Sequence, residues 1–566
     1  MASEEKKRIT RRKFVGYTAA GAVVVAGAAA GVYYATLPPT PGPSPATTAA
    51  TTAATTAAPP TTVAPRELVV GGQYLMKLLD PQRNVTGSDM IVCRHIYDTL
   101  VVFRHPNYNA YLPSLAKSWE ISSDAKLYTF HLRDDVKFYP SGNPMTADDV
   151  VWSFDRALKG QFPMCKAYAY TKEIRKMDDY TVQIELKMPF VAFLALAASV
   201  YDGAVLDSKA VIPHVNGEWG TPECDWGTPW LDENSAGTGP YYLKEWSRSV
   251  RAVVERNPYY WGSNPANDRI TFKIVGEAAT LQLLLESGDI DIAHIGMPLD
   301  VINAYVANPK PDIRVAQVPI FISCMSHMNP GFKPFSDVKV RQAIRAAVNY
   351  PEIVQRLMSN RALPMSSPIY KGLLGGGKTY YEYDLEKAKK LMAESKYPNG
   401  FEVTKIVPSS AEIGIQFRDL ALKEADDLAK IGIKIKIEEY DWSVMDERII
   451  GVKYDWAQDF QGILFIDPEG ILTMNGPPRH GTSVIINKDF PWRDEEIDLY
   501  CDQALGETDP AKREELYDKA CKLLAERGVN VHYFQQLGMY PYRSNVENFQ
   551  PWTSIEYTDY SNVTRT

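Results

Sequence analysis

The chain has 566 residues, 45% hydrophobic and 23% charged, with a formal net charge of −8. That length supports two or three packed lobes, and the composition is that of a globular protein. The acidic balance, with no basic stripe, excludes nucleic acid as a partner class.

The first element is a leader. Lys6, Lys7, Arg8, Arg11, Arg12 and Lys13 form a positive stretch, and an uncharged Ala/Gly/Val-rich run follows from Phe14 to Ala35. Thr10-Arg11-Arg12-Lys13-Phe14-Val15 resembles a twin-arginine export signal. Residues 1–36 are therefore read as an export signal that can also serve as a membrane anchor. Positive charge stays inside, which puts the body of the chain outside the cell. Residues 37–65 are Thr, Ala and Pro without charge, the composition of an extended stalk. A stalk behind a hydrophobic leader suits a body that must stand off a surface.

Six cysteines occur, at 93, 165, 224, 324, 501 and 521. An exported chain permits disulfides. Cys165 and Cys224 sit in loop-like segments bearing Pro and Gly and are the candidate pair; six buried thiols are the alternative. No CxxC and no Cys/His cluster occurs, so no metal or cofactor is expected. Asn84-Val-Thr and Asn562-Val-Thr are glycosylation sequons.

From Arg66 onwards strands and helices alternate. Tyr128, Phe130 and Leu132 alternate with polar residues, as do Val182/Ile184/Leu186, Ile270/Phe272/Ile274 and Ile431/Ile433/Ile435/Ile437, the pattern of half-buried strands. Thr146-x-x-Asp149 starts a helix on which Val151, Phe154 and Leu158 recur at helical spacing. Further helices are expected over Leu385–Ala393 and Ala511–Glu526. The class is α/β with mixed sheets.

A series of motifs then occurs in order. It opens with Leu79-Asp-Pro81, Ile96-Tyr-Asp-Thr-Leu100 and Pro113-Ser-Leu-Ala-Lys-Ser-Trp119-Glu. Tyr128-Thr-Phe-His-Leu-Arg133-Asp-Asp-Val-Lys-Phe138 and Thr146-Ala-Asp-Asp-Val150 follow. Then come Gly237-Thr-Gly-Pro-Tyr241, Arg256-Asn-Pro-Tyr-Tyr-Trp261-Gly, Ser287-Gly-Asp-Ile-Asp291 and Val340-Arg-Gln-Ala-Ile344. Tyr383-Asp-Leu-Glu-Lys-Ala-Lys389 and Tyr397-Pro-Asn-Gly-Phe401 close the series. In this order they resemble the family 5 extracellular solute-binding proteins, the peptide/nickel/oligosaccharide receptors of ABC importers. The resemblance spans about 66–566.

It implies a two-lobed periplasmic-binding-protein type II-like fold with an extra subdomain in the first lobe. Lobe one would take 66–322, with the subdomain at about 106–235, and regain 536–566; lobe two would take 323–535. The ligand would lie between the lobes, and closure would bury it. The implied partners are ABC permease and ATPase subunits, a small solute, and the membrane through the N-terminal segment. Two other readings stand beside transport: an extracellular carbohydrate-active enzyme, or a sensor on the same fold.

Gly372-Leu-Leu-Gly-Gly-Gly377-Lys378-Thr379 matches the phosphate-loop pattern GxxxxGK[ST]. Its context is wrong. Pro364, Ser366, Ser367 and Pro368 precede it where a buried strand should, and the next helix waits until about Asp384. It is read as a glycine loop. No GxSxG or HExxH occurs, so catalysis is not expected.

The resemblance also bears on the ligand. Peptide-binding members hold the ligand's α-amino group with an Asp between a Tyr-Asp and an Asp-Pro, here Tyr454-Asp455 and Asp467-Pro468. Ungapped counting puts Gln461 at the family's Trp, Gly462 beside it, and Leu464 at the amine-binding Asp. Leu464 cannot pair an ammonium, and an unpaired buried charge costs several kcal/mol. Asp459 or Asp467 would have to substitute. A neutral oligosaccharide is therefore slightly favoured over a peptide, with Trp442 as a stacking ring, Gln461 and Gly462 as further sugar-binding residues, and Tyr74 and Asn329 on the facing edges. Arg341 is read as structural.

Overall fold

The computed structural model describes residues 65–83, 86–412, 415–463, 465–475, 492–554 and 557–566. The residues read above as export signal and anchor, nearly all of those read as stalk, Asn84 and Leu464 fall outside these. Among the described residues no helix is long and apolar enough to cross a membrane.

One eleven-stranded sheet runs through the molecule. Its strands follow the order Ile433–Tyr440, Phe401–Pro408, Trp456–Gln461, Ile313–Met328, Asn530–Arg543, Ile292–Ile295, Glu67–Gly72, Arg269–Ile274, Arg251–Arg256 and Tyr241–Ser247, and Ala362–Pro364 pairs with Asn530–Arg543 off this path. The two long central strands join the halves. Ile313–Pro319 pairs with Leu537–Arg543, and Ser323–His327 pairs with Asn530–Gln535. The register shifts between Pro319 and Ser323, so regular pairing stops where one half passes into the other.

A second sheet, in the order Ala116–Ile121, Leu127–Leu132, Thr181–Leu186 and Thr171–Asp178, is antiparallel throughout. Tyr128, Phe130 and Leu132 are buried there, with Tyr128 opposite Ile184 and Phe130 opposite Val182. Strict alternation fits because one face packs on a core and the other meets solvent. The helix Ala147–Gly160 packs beside it, and Thr146 N donates to Asp149 Oδ2 at 2.9 Å in a capping box.

The isoleucine-rich strand starts at Ile433 rather than Ile431 and is the outer strand of the large sheet. Its Lys434 and Lys436 are exposed, the charge pattern that discourages edge-to-edge pairing. The helix Phe417–Ala429 is tied beneath this part of the sheet by a buried group that the sequence pattern did not single out. Lys405 Nζ pairs with Glu424 and lies 3.0 Å from Tyr533 Oη, Tyr533 donates to Glu424 Oε1 at 2.6 Å, and Lys405 stands 4.3 Å above the Trp456 ring centre. A buried charge is tolerable only when satisfied in this way.

Cys165 and Cys224 share a small apolar cluster with Phe162 and Trp226, but they are separate thiols. Cys165 Sγ is turned towards the Tyr201 carbonyl at 2.8 Å, which corrects the expected disulfide.

Candidate functional site

The register of two antiparallel strands decides what faces the seam between the lobes. Ser323 lies opposite Gln461, Met325 opposite Asp459 and His327 opposite Ala457. Opposed residues project to the same side, and alternate residues share a face. Ser323, His327, Asp459 and Gln461 therefore line one face, with Ser323 and Gln461 nearest the register shift.

Tyr370 covers the upper end of that face. Its hydroxyl donates to the Gln461 carbonyl at 2.7 Å and lies 3.2 Å from Ser323 Oγ. Its ring meets Phe321 at 5.8 Å, and Phe321 meets Tyr108 of lobe one at 5.5 Å. Phe321 N donates to Thr553 O at 3.1 Å, and Thr553 N donates to Tyr108 Oη at 3.0 Å. Elsewhere along the seam Phe190 packs edge-on against Phe465 at 6.0 Å, and Val191 N donates to Leu505 O at 2.8 Å. The lobes thus lie together along an apolar seam with few polar groups.

Gln461 is the exception. It is 1% exposed, and among the described residues neither Oε1 nor Nε2 has a hydrogen-bond partner. Leaving a buried amide unpaired costs about 1–3 kcal/mol per polar group. Asp459, two residues earlier on the same face, is 7% exposed. Its Oδ1 accepts from Phe460 N at 2.8 Å, and its Oδ2 lies 3.4 Å from His327 Nε2. Burial, together with the charge of Asp459, pushes the nearby Asp446 carboxyl up to about 6.

The other expected site residues have different roles. Tyr74 is buried, its hydroxyl 3.2 Å from His294 Nδ1. Asn329 Nδ2 donates to Tyr454 O at 2.7 Å and its Oδ1 accepts from Gly331 N, which ties down a turn. That turn borders an open groove of about 810 Å³ on lobe two, lined also by Phe332, Thr404, Arg448 and Tyr454. The Trp442 ring stands nearly perpendicular to those of Phe417 and Phe460, with ring centres 5.8 and 5.0 Å away. Gly462 is buried beside Gln461. Asp467 is held by Arg513 through two 2.8 Å contacts, which leaves it no role as an ammonium partner. Arg341 donates to the carbonyls of Phe335, Arg527 and Gly528.

The glycine loop is held by carboxylates and carries no phosphate cradle. Lys378 Nζ lies 3.0 Å from Glu514 Oε1 and 3.4 Å from Asp518 Oδ1. A Cβ on Gly376 would stand 1.8 Å from the Tyr370 carbonyl, so close packing against the seam requires glycine there.

The profile of the family described as bacterial extracellular solute-binding proteins, family 5 Middle, matches residues 110–483. The probable D,D-dipeptide-binding periplasmic protein DdpA of Escherichia coli (strain K12) is 30% identical over 479 residues, covering 83% of this chain and 88% of its own. Heme-binding protein A of Haemophilus influenzae is 28% identical over 495 residues, covering 81% and 84%. Among solved structures, HbpA2 from Haemophilus parasuis superposes with a TM-score of 0.77 at 25% identity, covering 88% of this chain and all of its own. DppA from Helicobacter pylori, in complex with the peptide STSA, superposes with a TM-score of 0.69 at 25% identity, covering 88% and 98%.

Proposed function

From the premise that this chain belongs to the bacterial extracellular solute-binding proteins of family 5, we propose that it captures a peptide-sized, amide-bearing solute between its lobes and delivers it to an ABC permease and ATPase. The family consists of binding proteins that work outside the cytoplasm and perform no catalysis. That sets aside the carbohydrate-active enzyme. The N-terminal segment is taken to hold the body at the membrane, and the lobes are taken to divide at 322/323 and 535/536, a reading that the register shift between Pro319 and Ser323 supports.

The observation that carries the ligand class is Gln461. A primary amide offers one acceptor and two donor hydrogens side by side, the complement of a peptide unit's N–H and C=O. A ligand that supplies both satisfies a buried group that otherwise has no partner among the described residues. Asp459 is the carboxylate best placed to take an accompanying ammonium, since Asp467 is committed to Arg513. The slight preference for oligosaccharide drawn from Leu464 finds no support among these relatives.

The test is calorimetric titration of residues 66–566 with free dipeptides and tripeptides, their N-acetylated forms, and neutral oligosaccharides. Peptide binding that weakens at least tenfold in Gln461→Leu supports the reading. Binding of oligosaccharides alone, or peptide binding indifferent to Gln461→Leu, overturns it. Selective loss of the free-amine forms in Asp459→Asn would assign the ammonium.

A further inference from the structure

We propose that Asn562 is an N-glycosylation site at the foot of the body, where the stalk enters. The sequon is Asn562-Val563-Thr564. Val563 is buried, whereas Asn562 is exposed and Thr564 half-buried, so the two residues that the modification needs point away from the core. The sequon sits on a turn closed by Val563 N donating to Tyr560 O at 3.2 Å. Neighbouring backbone holds that turn: Ala266 N donates to Ser561 O and Asn267 Nδ2 to Val563 O, at 2.6 and 2.7 Å. Among the described residues neither the Asn562 amide nor the Thr564 hydroxyl is used in a hydrogen bond. An exposed turn with a free amide and a free hydroxyl fits a surface sequon.

The second sequon makes the contrast. Its hydroxyl, on Thr86, donates to Asp89 Oδ2 at 2.7 Å and accepts from Asp89 N as a helix cap. A transferase would have to strip that cap, which costs about 1 kcal/mol.

Position gives the site its meaning. Ala266 and Asn267 adjoin Asp268, whose backbone N donates to Arg66 O at 2.8 Å and whose carboxylate accepts from Arg66 N. Arg66 leads directly into Glu67–Gly72, which runs parallel to Arg269–Ile274. Ligand crevices lie outside the carboxyl ends of such strands, and Asn562 is at their amino ends. A glycan there lies beside Arg66 and leaves the seam open.

In the transfer, Asn562 Nδ2 forms a bond to the anomeric carbon of a lipid-phosphate-linked oligosaccharide. The carbon–oxygen bond to phosphate breaks, the lipid phosphate keeps the electron pair, and Nδ2 gives up one proton. The full chain purified from its native host should yield a C-terminal peptide carrying a glycan mass on Asn562, abolished in Asn562→Gln and in Thr564→Val. The Asn562→Gln protein should keep its ligand affinity within twofold while its stalk junction is cleaved several-fold faster by added protease. An unmodified Asn562 peptide, or a glycan on Asn84 alone, overturns the proposal.

Discussion

Arg513 grips Asp467 at two points, Nη1 to Oδ2 and Nη2 to Oδ1, both at 2.8 Å, and its Nη2 also donates to Tyr517 Oη at 2.8 Å. The pair anchors the helix Pro510–Arg527 to the loop that follows Gln461. A bidentate pair of this kind sets geometry as well as energy.

Removing one partner leaves the other charged and buried. Arg513→Met should therefore destabilise the protein by about 3–5 kcal/mol, read as a lowered denaturation midpoint. The double variant Arg513→Met/Asp467→Leu should recover part of the loss. A single variant as stable as wild type would refute the assignment.

Gln461→Leu keeps volume and removes two unpaired polar atoms. Without ligand the variant should be as stable as wild type or up to about 2 kcal/mol more stable. With a bound peptide the order should reverse, because only wild type gains from the ligand's hydrogen bonds. Thermal melts with and without ligand test this.

The glycine loop should ignore nucleotides. Lys378 is already neutralised by Glu514 and Asp518, and its charge is held above the usual lysine range through those carboxylates despite the opposing effect of burial. Magnesium-ATP at millimolar concentration should leave the melting temperature unchanged. A rise of several degrees would reopen the phosphate-loop reading.

Asp202 should make stability fall as pH rises. Burial raises its carboxyl from 3.8 to about 7, against the two backbone N–H groups of Lys166 and Ala167 that bond its Oδ1. Below about pH 4 folded and unfolded states are both protonated, and nothing is lost. Between about 4 and 7 the unfolded chain gives up its proton while the folded one keeps it, so stability declines by roughly 4 kcal/mol across the window. Asp202→Asn keeps an acceptor oxygen and has no proton to lose. Its melting temperature relative to wild type should therefore climb from pH 4 to pH 7, and a constant difference would refute the assignment.

Much of the scaffold was legible along the chain. The alternation of Tyr128, Phe130 and Leu132 and the Thr146–Asp149 cap are local patterns, and they report local structure because strand and helix periods act over a few residues. The ordered motifs carried the family for the same reason, since each is a short contiguous run. The fate of the polar residues was decided elsewhere. Tyr74 meets His294, 220 positions away, and Asp467 meets Arg513, 46 positions away. Whether a Tyr, Asn or Asp faces a ligand or closes a core depends on which distant partner folding delivers to it. Sequence spacing picked out Gln461 as a departure from the family pattern. Only the packing of Tyr370, Phe321 and the strand Ile313–Met328 around it turned that departure into a buried amide with no partner among the described residues.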